Sequence, residues 1–302
     1  MSKIDSLLTS NGFRGESDIS GINCAMVSLC EKHFIEKDFA YSTSARSLYI
    51  NEPCNLFVAI GGSDLISIAS VTAGLSVGEA LNMAAKAEEL LDRELSFSYS
   101  EKIGYLSPSP KNCGSGLTFS ALLYLPSLRL FGRTELVRRA LCDRGISLSP
   151  LFSYAEEKND LYLISFTPYR FADESAAASL FSDAISALCD NESKTLGIIL
   201  SEKGKIIYAQ ARRALGALLY CESISECEML DLISAIRLSR CISNEETCSA
   251  LPSFEELNFL CSEGLNASVA ASAKEGCNSI EECDILRAEL IKKYINHKSE
   301  VS

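Results

Sequence analysis

The spacing of apolar residues changes along the chain, and this change constrains the fold most. Between residues 47 and 71, short alternating apolar runs are separated by the turn sequences "NEP" and "GGSD", which indicates strands. After about residue 195, apolar residues recur every three or four positions, which indicates helices. We therefore predict a mixed α+β unit followed by an all-helical C-terminal part.

Caps and periodicity locate the individual elements. The segment "SVGEALNMAAKAEELLDREL" predicts a helix that starts with a capping box of Ser76 and Glu79. The other predicted elements are a short helix at "IDSLL", a helix from Thr134 that ends at Gly145, paired strands "ISLSPLFSY" and "DLYLISFTPY", a helix capped by Asp173, and capping boxes Ser225/Glu228 and Ser253/Glu256. The predicted domains are a short N-terminal segment (1–45), an α+β domain (46–195) and a helical domain (196–302).

Composition excludes several classes of function. The 302 residues carry a net charge of −12, which disfavours binding to nucleic acid or to an anionic membrane. No run of 18 apolar residues and no signal-peptide pattern is present, so we expect a cytoplasmic protein without a membrane span. The 13 cysteines lack Cys-x-x-Cys spacing and the only histidines are His33 and His297, so we expect no metal site.

The segment "EKIGYLSPSPKNCGSGLTFSALLYLPSL", from Glu101 to Leu128, places a Ser/Pro/Gly loop directly before an apolar run. Such a loop can hold a small anion against backbone N–H groups, but no lysine follows its glycines. The segment resembles the signature of guanidino (phosphagen) kinases, and more narrowly that of bacterial protein-arginine kinases. The matching residues are Gly104, Tyr105, Leu106, Pro110, Asn112, Gly114, Gly116, Ser120, Leu125, Pro126 and Leu128.

Weaker matches extend the resemblance over residues 29–295, from "LCEKHFI" to "CDILRAELIKK". It implies an antiparallel sheet flanked by helices, with a C-terminal helical domain. It also implies a nucleotide-binding loop that includes Asn112, Gly114 and Gly116. In active relatives, arginines clamp the phosphates of Mg-ATP, while acidic residues position the guanidinium and take its proton.

The residues at the matching positions differ from those of active relatives. Residues without a charge stand where the family has two glutamates (Gly62 and Ser63), a cysteine (Ser109) and a catalytic glutamate (Ser153 or Tyr154). The same holds for three phosphate-clamping arginines, at Ser67, Thr118 and Ser149. Asp64 is retained. These losses predict a pseudokinase without a cofactor that acts as a regulatory or binding partner. The partner implied is an active arginine kinase, its activator or the Clp protease machinery, and a homodimer or heterodimer is implied as well.

Two alternatives remain open. The first is an active phosphotransferase that uses Mg-ATP, with Asp64 or Glu52 as the base and Arg138, Arg139 and Arg144 as replacement clamps. The second is a phosphoarginine sensor, because "CDILRA" resembles the phosphoarginine pocket of the family. Asp284 and Arg287 of that motif are retained, one helical turn apart, while Cys283 replaces an arginine.

Overall fold

The computed structural model describes residues 2–62, 64–108, 113–152, 160–168, 173–242, 251–273 and 279–296. The predictions for Ser63, Ser109, Asn112, Ser153 and Tyr154 lie outside these residues. Contacts divide the chain into two compact units. The first comprises 1–119 and 166–184, and the second comprises 120–165 and 185–302. The domain boundaries predicted after residues 45 and 195 stay predictions.

The first unit is built on a four-stranded antiparallel sheet in the order β1-β2-β3-β4. Its strands are β1 (Phe13–Ile19), β2 (Arg46–Asn51), β3 (Leu56–Ile60) and β4 (Ile66–Ser70), and a hairpin of β5 (Tyr99–Ser100) and β6 (Gly104–Tyr105) follows. Its helices are α1 (Ser2–Ser10), α2 (Cys24–Glu31), α3 (Lys37–Ala40) and α4 (Val77–Asp92).

Successive side chains of β2 and β3 point to opposite faces of this sheet, and each face packs in its own apolar cluster. Tyr49 and Val58 belong to one apolar cluster, which includes Leu8 of α1 and Leu91 of α4. Their neighbours Leu48 and Ala59 belong to a second cluster, which includes Met26 of α2 and Phe39 of α3.

The second unit combines a three-stranded sheet with a set of helices. The strands β7 (Phe119–Tyr124), β8 (Ile146–Pro150) and β9 (Leu161–Phe166) are ordered β7-β9-β8. The helices are α5 (Pro126–Leu130), α6 (Thr134–Cys142), α7 (Glu174–Tyr220), α8 (Glu226–Ile242), α9 (Phe254–Glu263), α10 (Asn266–Ser272) and α11 (Ile280–Asn296), of which α7 begins in the first unit. Their core includes Leu218, Met229, Ile233, Leu257 and Ile291.

The predicted fold class is confirmed, with helices on antiparallel sheets and a helical C-terminal region. The predictions of α1, of α4 and of adjacent strands β8 and β9 are also confirmed. Asp173 caps α7 by accepting from the backbone N–H of Ser175 at 3.0 Å, and Ser253 and Glu256 form the predicted capping box. None of the helices in the described ranges is long and apolar enough to cross a bilayer.

Two local predictions were wrong. Ser76 makes no side-chain capping bond, because its backbone (φ −117°, ψ 50°) is not extended as an N-cap requires. The helix capped by Asp173 was expected to end before the helical domain predicted from residue 196, but α7 continues for 47 residues from Glu174 to Tyr220.

Candidate functional site

The loop after β6 is shaped by backbone contacts between glycines. The N–H of Tyr105 donates to the carbonyl of Gly114 at 2.8 Å, and the N–H of Gly114 donates back at 3.1 Å. Gly104 has φ +93°, and a β-carbon there would lie 2.2 Å from the carbonyl oxygen of Gly114. Gly114 and Gly116 also have positive φ, at 138° and 65°. Backbone geometry alone therefore requires glycine at these positions.

Polar side chains tie this loop together and connect it to the turn after β3. The N–H of Ser107 donates to Sγ of Cys113 at 3.3 Å. The Ser107 hydroxyl donates to the carboxylate of Asp64. Asp64, the acidic residue retained in the family motif, is thus a hydrogen-bond acceptor for the loop.

The turn that contains Gly62 is tight. The N–H of Gly61 donates to the carbonyl of Leu65 at 2.8 Å. Leu65 has φ +63° and is 62% exposed, so an apolar side chain points into solvent at this turn. A β-carbon on Gly62 would lie 3.5 Å from Phe39, which is ordinary van der Waals contact. Space for a Cβ therefore does not explain this glycine.

Carboxyl groups lie close together next to this turn. The pKa of Glu36 is raised by burial and then by the charges of Asp64 and Asp38. A carboxyl group with a raised pKa can accept a proton nearer to neutral pH. Glu52, the other candidate base, is exposed and pairs with Arg14.

At Ser67, Thr118 and Ser149, where the resemblance implies phosphate-clamping arginines, the side chains carry hydroxyl groups. In the first unit, Thr118 Oγ1 lies 3.0 Å from Thr167 Oγ1, and Ser67 sits on β4 opposite Ala59. In the second unit, Ser149 Oγ lies 3.5 Å from the Leu163 carbonyl. These three side chains carry no positive charge, so they do not fit the phosphates of ATP.

The proposed replacement arginines belong to the second unit, whereas the glycine loop belongs to the first. Arg138 on α6 pairs with Glu135 one turn earlier on the same helix. The use of Arg138, Arg139 or Arg144 as phosphate clamps stays a prediction.

The predicted phosphoarginine residues form the centre of a buried network in the second unit. Arg287 is 0% exposed. Its Nε donates to the Gly264 carbonyl at 2.5 Å, its Nη1 to the Ile224 carbonyl at 2.7 Å and to Asp284 at 2.5 Å, and its Nη2 to Asn266. Each guanidinium nitrogen is therefore engaged by the protein itself. Sequence reasoning identified the Asp284–Arg287 pair but missed the carbonyl acceptors, which come from distant segments.

Glu226, which sequence reasoning also missed, completes this network. It is 6% exposed and accepts from the N–H of Asn266 at 2.6 Å. Burial raises its pKa, while this hydrogen bond and the charge of Arg287 oppose the rise. The network joins the start of α8, the start of α10 and α11, and its geometry suits a structural role.

Comparison with known proteins gives consistent matches. The family model "ATP:guanido phosphotransferase, C-terminal catalytic domain" matches residues 23–202. The protein-arginine kinase of Halothermothrix orenii is 26% identical over 211 residues, which cover 70% of this chain and 60% of that protein. The protein-arginine kinase of Syntrophomonas wolfei is 29% identical over 214 residues, which cover 70% and 59%. The chain thus spans about 60% of the length of these relatives.

Among solved structures, the duplicated taurocyamine kinase of Schistosoma mansoni is similar in fold. With bound transition-state analogue components, it matches with a TM-score of 0.55 at 17% identity, over 70% of this chain and 32% of that chain. The substrate-free form gives a TM-score of 0.51 at 18% identity, over 70% and 33%. Because the family model matches more than half of the residues, and because the fold agrees, the chain belongs to the ATP:guanido phosphotransferase family.

Proposed function

We propose that this chain is a non-catalytic member of its family that regulates or binds the machinery of protein-arginine phosphorylation. One observation carries the proposal. At Ser67, Thr118 and Ser149, where active relatives are expected to clamp phosphate with arginine, the side chains are uncharged. Removal of one preorganised hydrogen-bond donor from an active site can cost about 10²–10³ in rate. This proposal has three donors replaced together.

The proposed partner is an active protein-arginine kinase, its activator or the Clp protease machinery. The resemblance supports this choice, because the curated relatives are protein-arginine kinases. Association through the helical C-terminal region, as a homodimer or with an active homologue, belongs to the same proposal, and so does a cytoplasmic location. The net charge of −12 is compatible with a basic protein partner.

Phosphoryl transfer and nucleotide binding test the proposal together. The purified chain is titrated calorimetrically with Mg-ATP and is then incubated with labelled ATP and an arginine-rich protein. We expect no saturable heat and no acid-labile phosphate, while an active protein-arginine kinase under the same conditions gives both. Acid-labile phosphate that depends on the wild-type chain would refute the proposal.

A charge-restored variant sharpens this test. The triple variant Ser67→Arg, Thr118→Arg and Ser149→Arg returns three cations to the expected clamp positions, and the matched control carries glutamine at the same positions. If the wild-type chain fails to bind ATP because these positive charges are missing, the arginine variant should gain ATP affinity and the glutamine control should not. Equal behaviour of both variants would remove the charge argument.

A divergent active phosphotransferase is the second candidate function. The observation that favours it is the group of Asp64, Glu36 and Asp38, in which the pKa of Glu36 is raised. Under this alternative Asp64 or Glu52 is the base, so Asp64→Asn or Glu52→Gln abolishes transfer. Absence of transfer by the wild-type chain argues against it.

The phosphoarginine sensor is a further alternative, but it requires Arg287 to leave four protein acceptors.

A further inference from the structure

The β5–β6 hairpin carries a cluster of aromatic rings at the surface of the first unit. Tyr99 and Tyr105 stand directly opposite each other across the hairpin. Their ring centroids are 5.4 Å apart at an interplanar angle of 77°. Phe97 meets the same Tyr105 ring edge-on, at 6.3 Å and 88°. Tyr99 is 58% exposed, so part of its ring is accessible from solvent.

One of these rings has a carboxylate at its hydroxyl end. The Tyr105 hydroxyl donates to Glu88 of α4. The pKa of Tyr105 is raised by this hydrogen bond, then by burial and by the charges of Glu88, Asp92 and Glu174. Acidic side chains of α4 and α7 therefore act on the Tyr105 ring.

The placement of these acids does not stabilise the helix that carries them. Glu88 and Asp92 are four residues apart on α4, and like charges at this spacing repel each other. The adjacent pair on the same helix is complementary instead, because Arg93 Nη2 lies 2.8 Å from Glu89 Oε1. An external cation would offset the repulsion between Glu88 and Asp92.

The aromatic–carboxylate cluster consists of Phe97, Tyr99, Tyr105, Glu88 and Asp92. We propose that this cluster binds a lysine or arginine side chain of a basic protein segment. A cation is attracted to the face of an aromatic ring, and a nearby carboxylate adds a charge-assisted hydrogen bond. The net charge of −12 attracts basic segments and repels acidic ones. The inference goes beyond the proposed function, since it requires neither nucleotide nor phosphoryl transfer.

Peptide titration of the full chain tests this site. The probe is a capped octapeptide of alternating arginine and glycine, and its counterpart alternates glutamate and glycine. At low ionic strength we expect saturable binding of the arginine peptide alone. Tyr99→Ala should weaken it about three- to fivefold, the range for an exposed cation–π contact, and Tyr99→Phe should bind as the wild type does.

Two variants that each remove one negative charge distinguish binding at the cluster from attraction to the acidic protein as a whole. Asp92→Asn and Glu52→Gln each remove one exposed negative charge, but only Asp92 belongs to the cluster. Asp92→Asn should weaken binding by more than Glu52→Gln at every salt concentration. Equal losses in this pair, an unchanged Tyr99→Ala, or no binding by the wild type would each overturn the inference. Circular dichroism confirms that each variant is folded, and the phosphoryl-transfer assay reports on the proposed function independently.

Discussion

Replacement of Arg287 by methionine tests whether the Asp284–Arg287 pair is a structural centre or a ligand site. Arg287 is fully buried and donates to two backbone carbonyls, to Asp284 and to Asn266. Methionine keeps most of the side-chain length and removes every donor. The carbonyls of Gly264 and Ile224 then lose the donors that Arg287 supplies.

The expected cost follows from these lost contacts. A buried acceptor without its donor costs about 1–3 kcal/mol, and breaking a buried ion pair costs about 3–5 kcal/mol. The Asp284 side chain is 18% exposed, so water can recover part of its loss. We expect Arg287→Met to lower the free energy of unfolding by about 3–5 kcal/mol.

Urea unfolding followed by far-ultraviolet circular dichroism measures this loss. The matched control is Arg139→Met on α6, an exposed arginine, which should change stability by about 0.5 kcal/mol or less. A loss below about 1 kcal/mol for Arg287→Met would refute the structural interpretation. Free phosphoarginine provides a second readout, since a structural centre predicts no rise in the wild-type unfolding midpoint and a sensor predicts a clear one.

Two further predictions concern a glycine and a buried acid. Gly104→Ala and Gly132→Ala both place alanine at positive φ, which costs about 1–2 kcal/mol, but only Gly104 has an oxygen 2.2 Å from the new β-carbon. Urea midpoints should therefore fall further for Gly104→Ala, and equal losses would contradict the clash. Burial raises the pKa of Glu192 above its ordinary 4.5, although hydrogen bonds from Ser127 oppose the rise. Its contribution to stability is complete below pH 4.5 and is lost as pH rises through the folded-state pKa. Glu192→Gln should therefore gain stability relative to the wild type between pH 4.5 and neutrality, and a difference independent of pH would contradict this.

Local patterns predicted most of the elements, because caps and periodicity act over a few residues. The capping box of Ser253 and Glu256 formed as predicted. The length of α7 was not predictable in the same way. The boundary predicted at residue 195 placed separate helices on its two sides, yet Glu192 and Ile199, each about one turn from that position, are buried on one continuous helix. Tertiary packing maintains the helix there, and no local signal reports that packing.

The sequence predicted which side chains of the site carry a charge, but not which residues they contact or how deeply they are buried. The sequence indicated that Thr118 lacks a charge but not that its hydroxyl lies 3.0 Å from Thr167, 49 positions away. In the same way, it indicated an ion pair at Asp284 and Arg287 but not its burial. The partners of Arg287 come from the start of α8 and from residues around α10, and a single sequence does not show which segments meet.

The glycines of the loop are constrained by backbone geometry, whereas the charged residues of this family are constrained by phosphate binding. Gly104 is required because its neighbour is a backbone oxygen, so a side chain there would disturb the fold itself. The Thr118 hydroxyl, by contrast, lies within hydrogen-bond distance of Thr167, and the Ser149 hydroxyl within that of the Leu163 carbonyl on β9. The sheet forms without any charge at these positions. The fold therefore tolerates uncharged side chains at Thr118 and Ser149, whereas it does not readily tolerate a side chain at Gly104. The loop signature is consequently evidence for the fold, and the charged side chains around it are the evidence for catalysis.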